Sequence, residues 1–159
     1  MHNSKSSITK AWFHLVLAGF IIALTTGCSG FHRAWKQEVS KNINYPPSSI
    51  EGAWEGKWLS DVNGHHGRLR CLVQRNEDGT LTTWYHAKYK KVLGFAYSVD
   101  VRAEPAPNGH SFEGEADLGK LAGGNYEYKG AVADGVFNAT YKSKFDYGSF
   151  KMNRPPADK

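Results

Sequence analysis

Leu81-Thr82-Thr83-Trp84-Tyr85-His86-Ala87-Lys88-Tyr89 decides the fold class of this chain. Leu81, Thr83, Tyr85, Ala87 and Tyr89 fall on one side of an extended backbone, and Thr82, Trp84, His86 and Lys88 fall on the other. A period of two, in residues that are mostly β-branched or aromatic, predicts a strand with one buried face. Moving back along the chain, Asn76-Glu77-Asp78-Gly79 reads as a hairpin turn. Before it, Leu69, Cys71 and Val73 alternate with Arg68, Arg70 and Gln74. Earlier still, Gly52 to Leu59 puts Trp54, Gly56 and Trp58 on one face and Glu55 and Lys57 on the other.

The same alternation continues downstream. Leu93, Phe95, Tyr97, Val99 and Val101 share a face, and the run Glu104-Pro-Ala-Pro-Asn-Gly109 is expected to end that strand. A fifth strand carries Phe112, Gly114, Ala116 and Leu118 inward, with Glu113, Glu115 and Asp117 outward. A sixth carries Tyr126, Tyr128, Gly130 and Val132, a seventh Phe137, Ala139 and Tyr141, and an eighth Phe150 and Met152. Eight successive strands, each with one apolar face and short turns between them, form a meander. Closure into an antiparallel up-and-down barrel covers that face and removes both sheet edges. The predicted class is therefore all-β, a single eight-stranded barrel. The Gly52-Ala53-Trp54 opening resembles the Gly-x-Trp start of the first strand in calycins, the lipocalin, avidin and fatty-acid-binding group. That resemblance implies the fold and carries over no ligand, because the later lipocalin motifs and a biotin-binding set are missing.

The N-terminus supplies an address. Lys5 and Lys10 precede the apolar run from Ala11 to Thr26, which ends in Gly27-Cys28-Ser29-Gly30, the pattern of an export signal. Leu24-Thr25-Thr26-Gly27-Cys28 resembles the lipobox of bacterial lipoproteins, and the mature chain is similar to small bacterial lipoproteins of no assigned activity. The resemblance implies cleavage before Cys28, acylation of Cys28 and, with Ser29 following, retention in an outer membrane facing the periplasm. The organisation expected is a signal over 1–27, a lipidated tether over 28–49, a barrel over 50–154 and a tail over 155–159. Within the tether, Phe31, Trp35 and Val39 recur at spacing four, so 31–42 is expected to form a short amphipathic helix, stopped by Tyr45-Pro46-Pro47.

The formal net charge is +5 and includes Lys5 and Lys10, so the mature chain is only mildly basic and lacks a nucleic-acid-binding profile. Partners expected are the membrane, through the acyl groups, and a small apolar or aromatic ligand; nothing in the sequence sets the oligomeric state. With Cys28 lipidated, Cys71 is left without a disulfide partner and its parity makes it a core thiol. No cofactor motif is recognisable.

Candidate ligand-lining residues are Trp54, Trp58, Tyr85, Tyr89, Tyr97, Tyr126, Tyr128 and Tyr141. An eight-stranded barrel is either filled by side chains or left with room for one small ligand, and both readings stand at this point. Buried tyrosine hydroxyls need partners, which favours one wet end. Asp61, His65, His66 and His86 form a candidate polar cluster at the barrel mouth, and a small hydrolase or isomerase built on it is the alternative to a non-catalytic binding module. No zinc-like ligand spacing accompanies His65 and His66, and an Asn63-Gly64 turn explains the same loop, so no metal is assigned. Glu113, Glu115 and Asp117 read as solvation of an outer face. Arg68, Arg70, Lys88, Lys90 and Lys91 offer a third, structural role, steering the barrel onto anionic envelope polymers.

Overall fold

A computed structural model describes residues 30–41, 44–90, 93–119 and 123–156. The eight strands are β1 (Gly52–Ser60), β2 (His66–Arg75), β3 (Leu81–Tyr89), β4 (Leu93–Ala106), β5 (Gly109–Asp117), β6 (Asn125–Ala133), β7 (Val136–Lys142) and β8 (Tyr147–Asn153). Each pairs antiparallel with its neighbour in sequence, and β8 returns to β1, with Lys57 opposite Lys151 and Trp58 opposite Phe150, to close the barrel. The expected all-β, up-and-down architecture is what forms, consistent with a calycin-like barrel. Among the described residues no helix is long and apolar enough to cross a membrane.

The faces follow parity. Trp54, Leu69, Cys71, Tyr85, Val99, Phe112, Tyr128, Phe137 and Phe150 are buried in one interior cluster. The β6–β7 hairpin turns on Asp134 and Gly135, both with positive φ of 50° and 76°, a type I′ turn whose twist matches the strands it joins. One boundary needs correction. Instead of ending at Glu104, β4 runs through Pro105 to Ala106, with Ala106 opposite Gly109. Its other neighbour, β3, begins at Leu81 opposite Val101, so beyond Val101 that side of β4 has no ladder, and a proline there sacrifices no hydrogen bond.

A second correction concerns the outer wall of β1 to β3. Ala53, Leu72 and His86 point outward by parity yet are buried. The chain divides into a unit ending at Ala34 and a second unit, Trp35–Lys159, that contains the barrel. Helix extends over residues 30–41, while Asn42 lies outside the described residues. In the second unit Trp35 and Val39 are buried, and the Arg70 guanidinium of β2 lies 4.6 Å from the Trp35 ring centroid. The amphipathic stripe read in the tether therefore ends against this wall. Of the first unit only residues 30–34 are described, with Phe31 edge-on to His32. The signal over 1–27 and Cys28 lie outside the described residues, as do Lys91 and residues 157–159. At the other terminus the packed chain continues past Arg154, since Pro155 is buried.

The proline-rich segment expected as tether is strapped across one end of the barrel. The Pro47 carbonyl accepts from Gly135 N–H at 3.1 Å, and His110 Nδ1 lies 3.0 Å from the Ser48 carbonyl. Arg154, just past β8, stacks its guanidinium 3.8 Å from the Trp54 ring and donates to the Ser49 carbonyl at 2.8 Å. Trp54 itself donates its indole N–H to the Ile50 carbonyl at 2.8 Å. Burial draws Arg154 down to about 10, so it stays a cation at neutral pH. The Tyr45 ring lies near the same guanidinium, and its hydroxyl donates to Glu38 at 2.7 Å, a bond that, with burial, raises Tyr45 to about 12. Cation–π stacking on a desolvated tryptophan and charge-assisted bonds to carbonyls each contribute on the order of 2 kcal/mol. Arg154→Ala is therefore expected to lower unfolding free energy by roughly 2–3 kcal/mol, with Arg154→Lys recovering less than half because an ammonium lacks the planar fork. Denaturant titration of the variants measures this; a loss indistinguishable from zero for Arg154→Ala would remove the strap from the account.

Candidate functional site

The end opposite the strap is shaped differently. At the end where β1, β3, β5 and β7 finish lies a cavity of about 420 Å³. Its lining includes Trp58, Tyr97, Tyr126, Tyr128, Tyr141 and Phe150, with Asp146 contributing the carboxylate. The space lies above a packed floor, in which Tyr85 stacks on Tyr97 at 5.2 Å and packs against Phe150 at 5.5 Å.

Local sequence places these rings. Trp58 of β1 faces Gly67 of β2, and because Gly67 has no side chain the indole crosses it to donate to the Lys88 carbonyl at 3.1 Å. A Cβ at Gly67 would sit 2.9 Å from that indole nitrogen and collide with the Lys88 backbone. Gly148 plays the same part for Tyr141, whose hydroxyl would lie 2.8 Å from a Cβ there. Tyr141 instead donates to Asp146 at 3.2 Å, while Ser60 donates to the other carboxylate oxygen at 2.6 Å. Asp146 thus ties the β7–β8 turn to the end of β1 while facing the cavity.

Burial raises the hydroxyls of Tyr85, Tyr97, Tyr128 and Tyr141 well above the ordinary tyrosine range. They are neutral at any physiological pH and present O–H donors and aromatic faces. Tyr85 O–H is buried with no hydrogen-bond partner of acceptable geometry, although the Thr83 hydroxyl and the Cys71 thiol are polar neighbours. Burial likewise pushes the Cys71 thiol far up, which makes it a core group rather than a nucleophile.

Of the rings expected to line a pocket, Trp58, Tyr97, Tyr126, Tyr128 and Tyr141 border the cavity. Trp54 and Tyr85 are wholly buried in the packed core beneath. Tyr89 stands at the rim between Trp58 and His65, with centroids 6.2 and 4.9 Å away. Sequence reading gave Asp146 no role; a carboxylate one residue before β8, beside a strand-starting Tyr-Gly pair, was the available signal.

The Asp61, His65, His66 and His86 set is not brought together. Asp61 and His65 are exposed in the β1–β2 connection, where His65 N–H bonds Asn63 Oδ1 at 2.9 Å and Gly64 has a φ of 71°, and the exposed His66 opens β2. His66 Nδ1 lies 3.0 Å from the Gly64 carbonyl. These residues build the Asn63-Gly64 turn. His86 is instead buried on the outer wall, opposite Arg70 and four residues along β2 from His66, because β3 parity turns it away from the interior. Among the described residues no three of His, Cys, Asp or Glu are grouped as a metal would need. Glu113 lies opposite Lys129 and Arg102 on the outer face, where solvation explains it.

No family model matches this chain, and no curated protein or solved structure shows significant similarity to it.

The raised tyrosines set an alkaline limit. Above pH 10 the unfolded chain sheds phenolic protons that the folded chain retains, so the unfolded state binds fewer protons and stability falls as pH rises. Below pH 10 their contribution is fully present and level. Ultraviolet titration should show these four tyrosines ionising only together with unfolding; smooth ionisation of all tyrosines in folded protein would contradict the buried cluster.

Proposed function

We propose that this chain is a lipid-anchored envelope barrel, working without catalysis, that binds one small, flat and mostly apolar ligand through its open end. The observation that supports this reading is the cavity of about 420 Å³ bordered by tyrosine, tryptophan and phenylalanine rings. Ligand-binding clefts span roughly 300–1,000 Å³ and combine apolar walls with a few placed polar groups. The neutral hydroxyls of Tyr97 and Tyr128 would offer hydrogen bonds to the ligand edge, while the faces of Tyr97, Tyr126, Tyr128 and Tyr141 stack on its plane. Asp146 would accept from a ligand donor at the mouth. The dispersal of Asp61, His65 and His86 weighs against the hydrolase or isomerase alternative. The cell-envelope address is carried by the lipobox-like Leu24 to Cys28.

Two measurements test the two halves separately. Titrating the protein with a broad panel of planar apolar probes should quench Trp58 emission at micromolar concentration, and Ala87→Leu, which narrows the cavity, should weaken binding at least tenfold, about 1.4 kcal/mol. Silence across the panel ends the ligand reading. For the address, Cys28→Ala expressed in a Gram-negative host should lose the acyl mass and leave the precursor uncut. Unchanged mass and processing would show that Cys28 is not the acylated residue.

A further inference from the structure

The exposed large apolar side chains are confined to one end of the barrel. Among the described residues these are Leu59 (42% exposed), Val62 (50%), Phe95 (49%), Phe145 (67%) and Tyr147 (51%). Leu59 lies near the end of β1 and Val62 in the turn after it, Phe95 lies near the start of β4, Phe145 is in the β7–β8 turn and Tyr147 opens β8. These sites lie at the end where the cavity opens, and among the described residues no exposed large apolar side chain stands at the strapped end. Lone exposed apolar residues are ordinary, but their collection around one opening is not.

The charge balance shifts along the same axis, from an acidic excess at the strapped end to lysines and carboxylates near balance at the mouth. The mouth carries exposed Lys88, Lys90, Lys142 and Lys144 against the exposed acids Asp61, Asp117 and Glu127, the last standing opposite Lys142. Asp146 is engaged by Ser60 and Tyr141. The strapped end carries Glu51, Glu77, Asp78, Glu104 and Asp134 against Arg75, Arg102 and Arg154. At the mouth the cations stand beside the rings: Lys144 Nζ is 5.3 Å from the Phe145 centroid, and Lys90 Nζ is 5.3 Å from that of Tyr89. Aromatic and aliphatic tips flanked by lysines form the pattern that sits at a bilayer interface, apolar groups at the acyl boundary and ammonium groups among anionic headgroups.

We infer that the open end of the barrel docks onto an anionic lipid bilayer, with Val62, Phe95, Phe145 and Tyr147 entering the headgroup region and Lys90 and Lys144 contacting phosphates. This contact is distinct from any acyl group on Cys28 and holds whether or not the cavity takes a ligand. It would place the cavity mouth against lipid, so that an apolar ligand could pass between membrane and barrel without crossing water. A protein partner fits less well, because the tips surround an opening rather than forming a continuous flat patch.

The apolar run Ala11 to Thr26 can bring the full chain to vesicles in any case, so the informative readout is which end of the barrel meets lipid. An environment-sensitive fluorophore is placed at Phe145→Cys, or at Glu77→Cys in the opposite β2–β3 turn, in full-length protein carrying Cys28→Ser; Cys71 is buried and does not label. With vesicles of phosphatidylethanolamine and phosphatidylglycerol in equal amounts, the label at 145 should shift to the blue and lose at least half of its quenching by iodide, while the label at 77 stays unchanged. Lys90→Glu with Lys144→Glu should weaken the shift at 145 by about tenfold in lipid concentration, as should high salt. Val62→Cys, in a separate loop, gives the same readout if Phe145→Cys fails to fold. Equal iodide access at 145 with and without vesicles overturns the inference. So does protection at 145 that grows with protein concentration in the absence of lipid, which would assign the rim to a second copy of this chain.

Discussion

Pairing of β8 with β1 is the constraint on which the rest of the structure depends. Once Lys57 stands opposite Lys151 and Trp58 opposite Phe150, no edge strand remains, and every inward side chain must share one enclosed volume. Eight strands enclose little more than their own side chains can fill. Whether any space is left is then decided end by end, by what covers each opening. At one end the 44–51 segment is drawn over the barrel and held by Arg154, Gly135 and His110. At the other, glycine at 67 and 148 lets Trp58 and Tyr141 lie back against the wall, and a cavity remains.

The polarity that results gives the barrel a direction. Its closed end is acidic and tied by long-range bonds, while its open end is rimmed by lysines and apolar tips and lined by tyrosines that burial keeps neutral. Neutral phenols offer a ligand both a stacking face and a hydrogen bond, without the desolvation cost of a buried charge. Asp146 sits at the boundary between the two environments, bonded to Ser60 and Tyr141, so the same carboxylate fixes the β7–β8 turn and presents an acceptor at the mouth.

Much of this was legible along the chain. Alternation located all eight strands and assigned Trp58, Tyr97, Tyr126, Tyr128 and Tyr141 to the interior, because side-chain parity in a strand is a purely local property. Parity failed where a second layer intervenes: Ala53, Leu72 and His86 face outward yet are buried on the wall where Arg70 lies over Trp35. The same outward parity keeps His86 out of the polar cluster proposed for the mouth. Pro105 was read as a terminator, since a proline's cost in a sheet depends on whether the neighbouring strand is still present, and β3 is not.

By itself, then, the sequence determined a closed antiparallel meander, its register-setting turns at Asp78-Gly79 and Asp134-Gly135, and an aromatic interior. Local backbone preferences and near-neighbour periodicity suffice for these. Only the tertiary structure decided which end is shut and which is open. That choice rests on Arg154 reaching Ser49 across 105 residues of chain and on Asp146 reaching Ser60 across 86. Contacts at such separation leave no periodic trace, because they depend on where the closed sheet brings distant termini together rather than on what lies beside each residue.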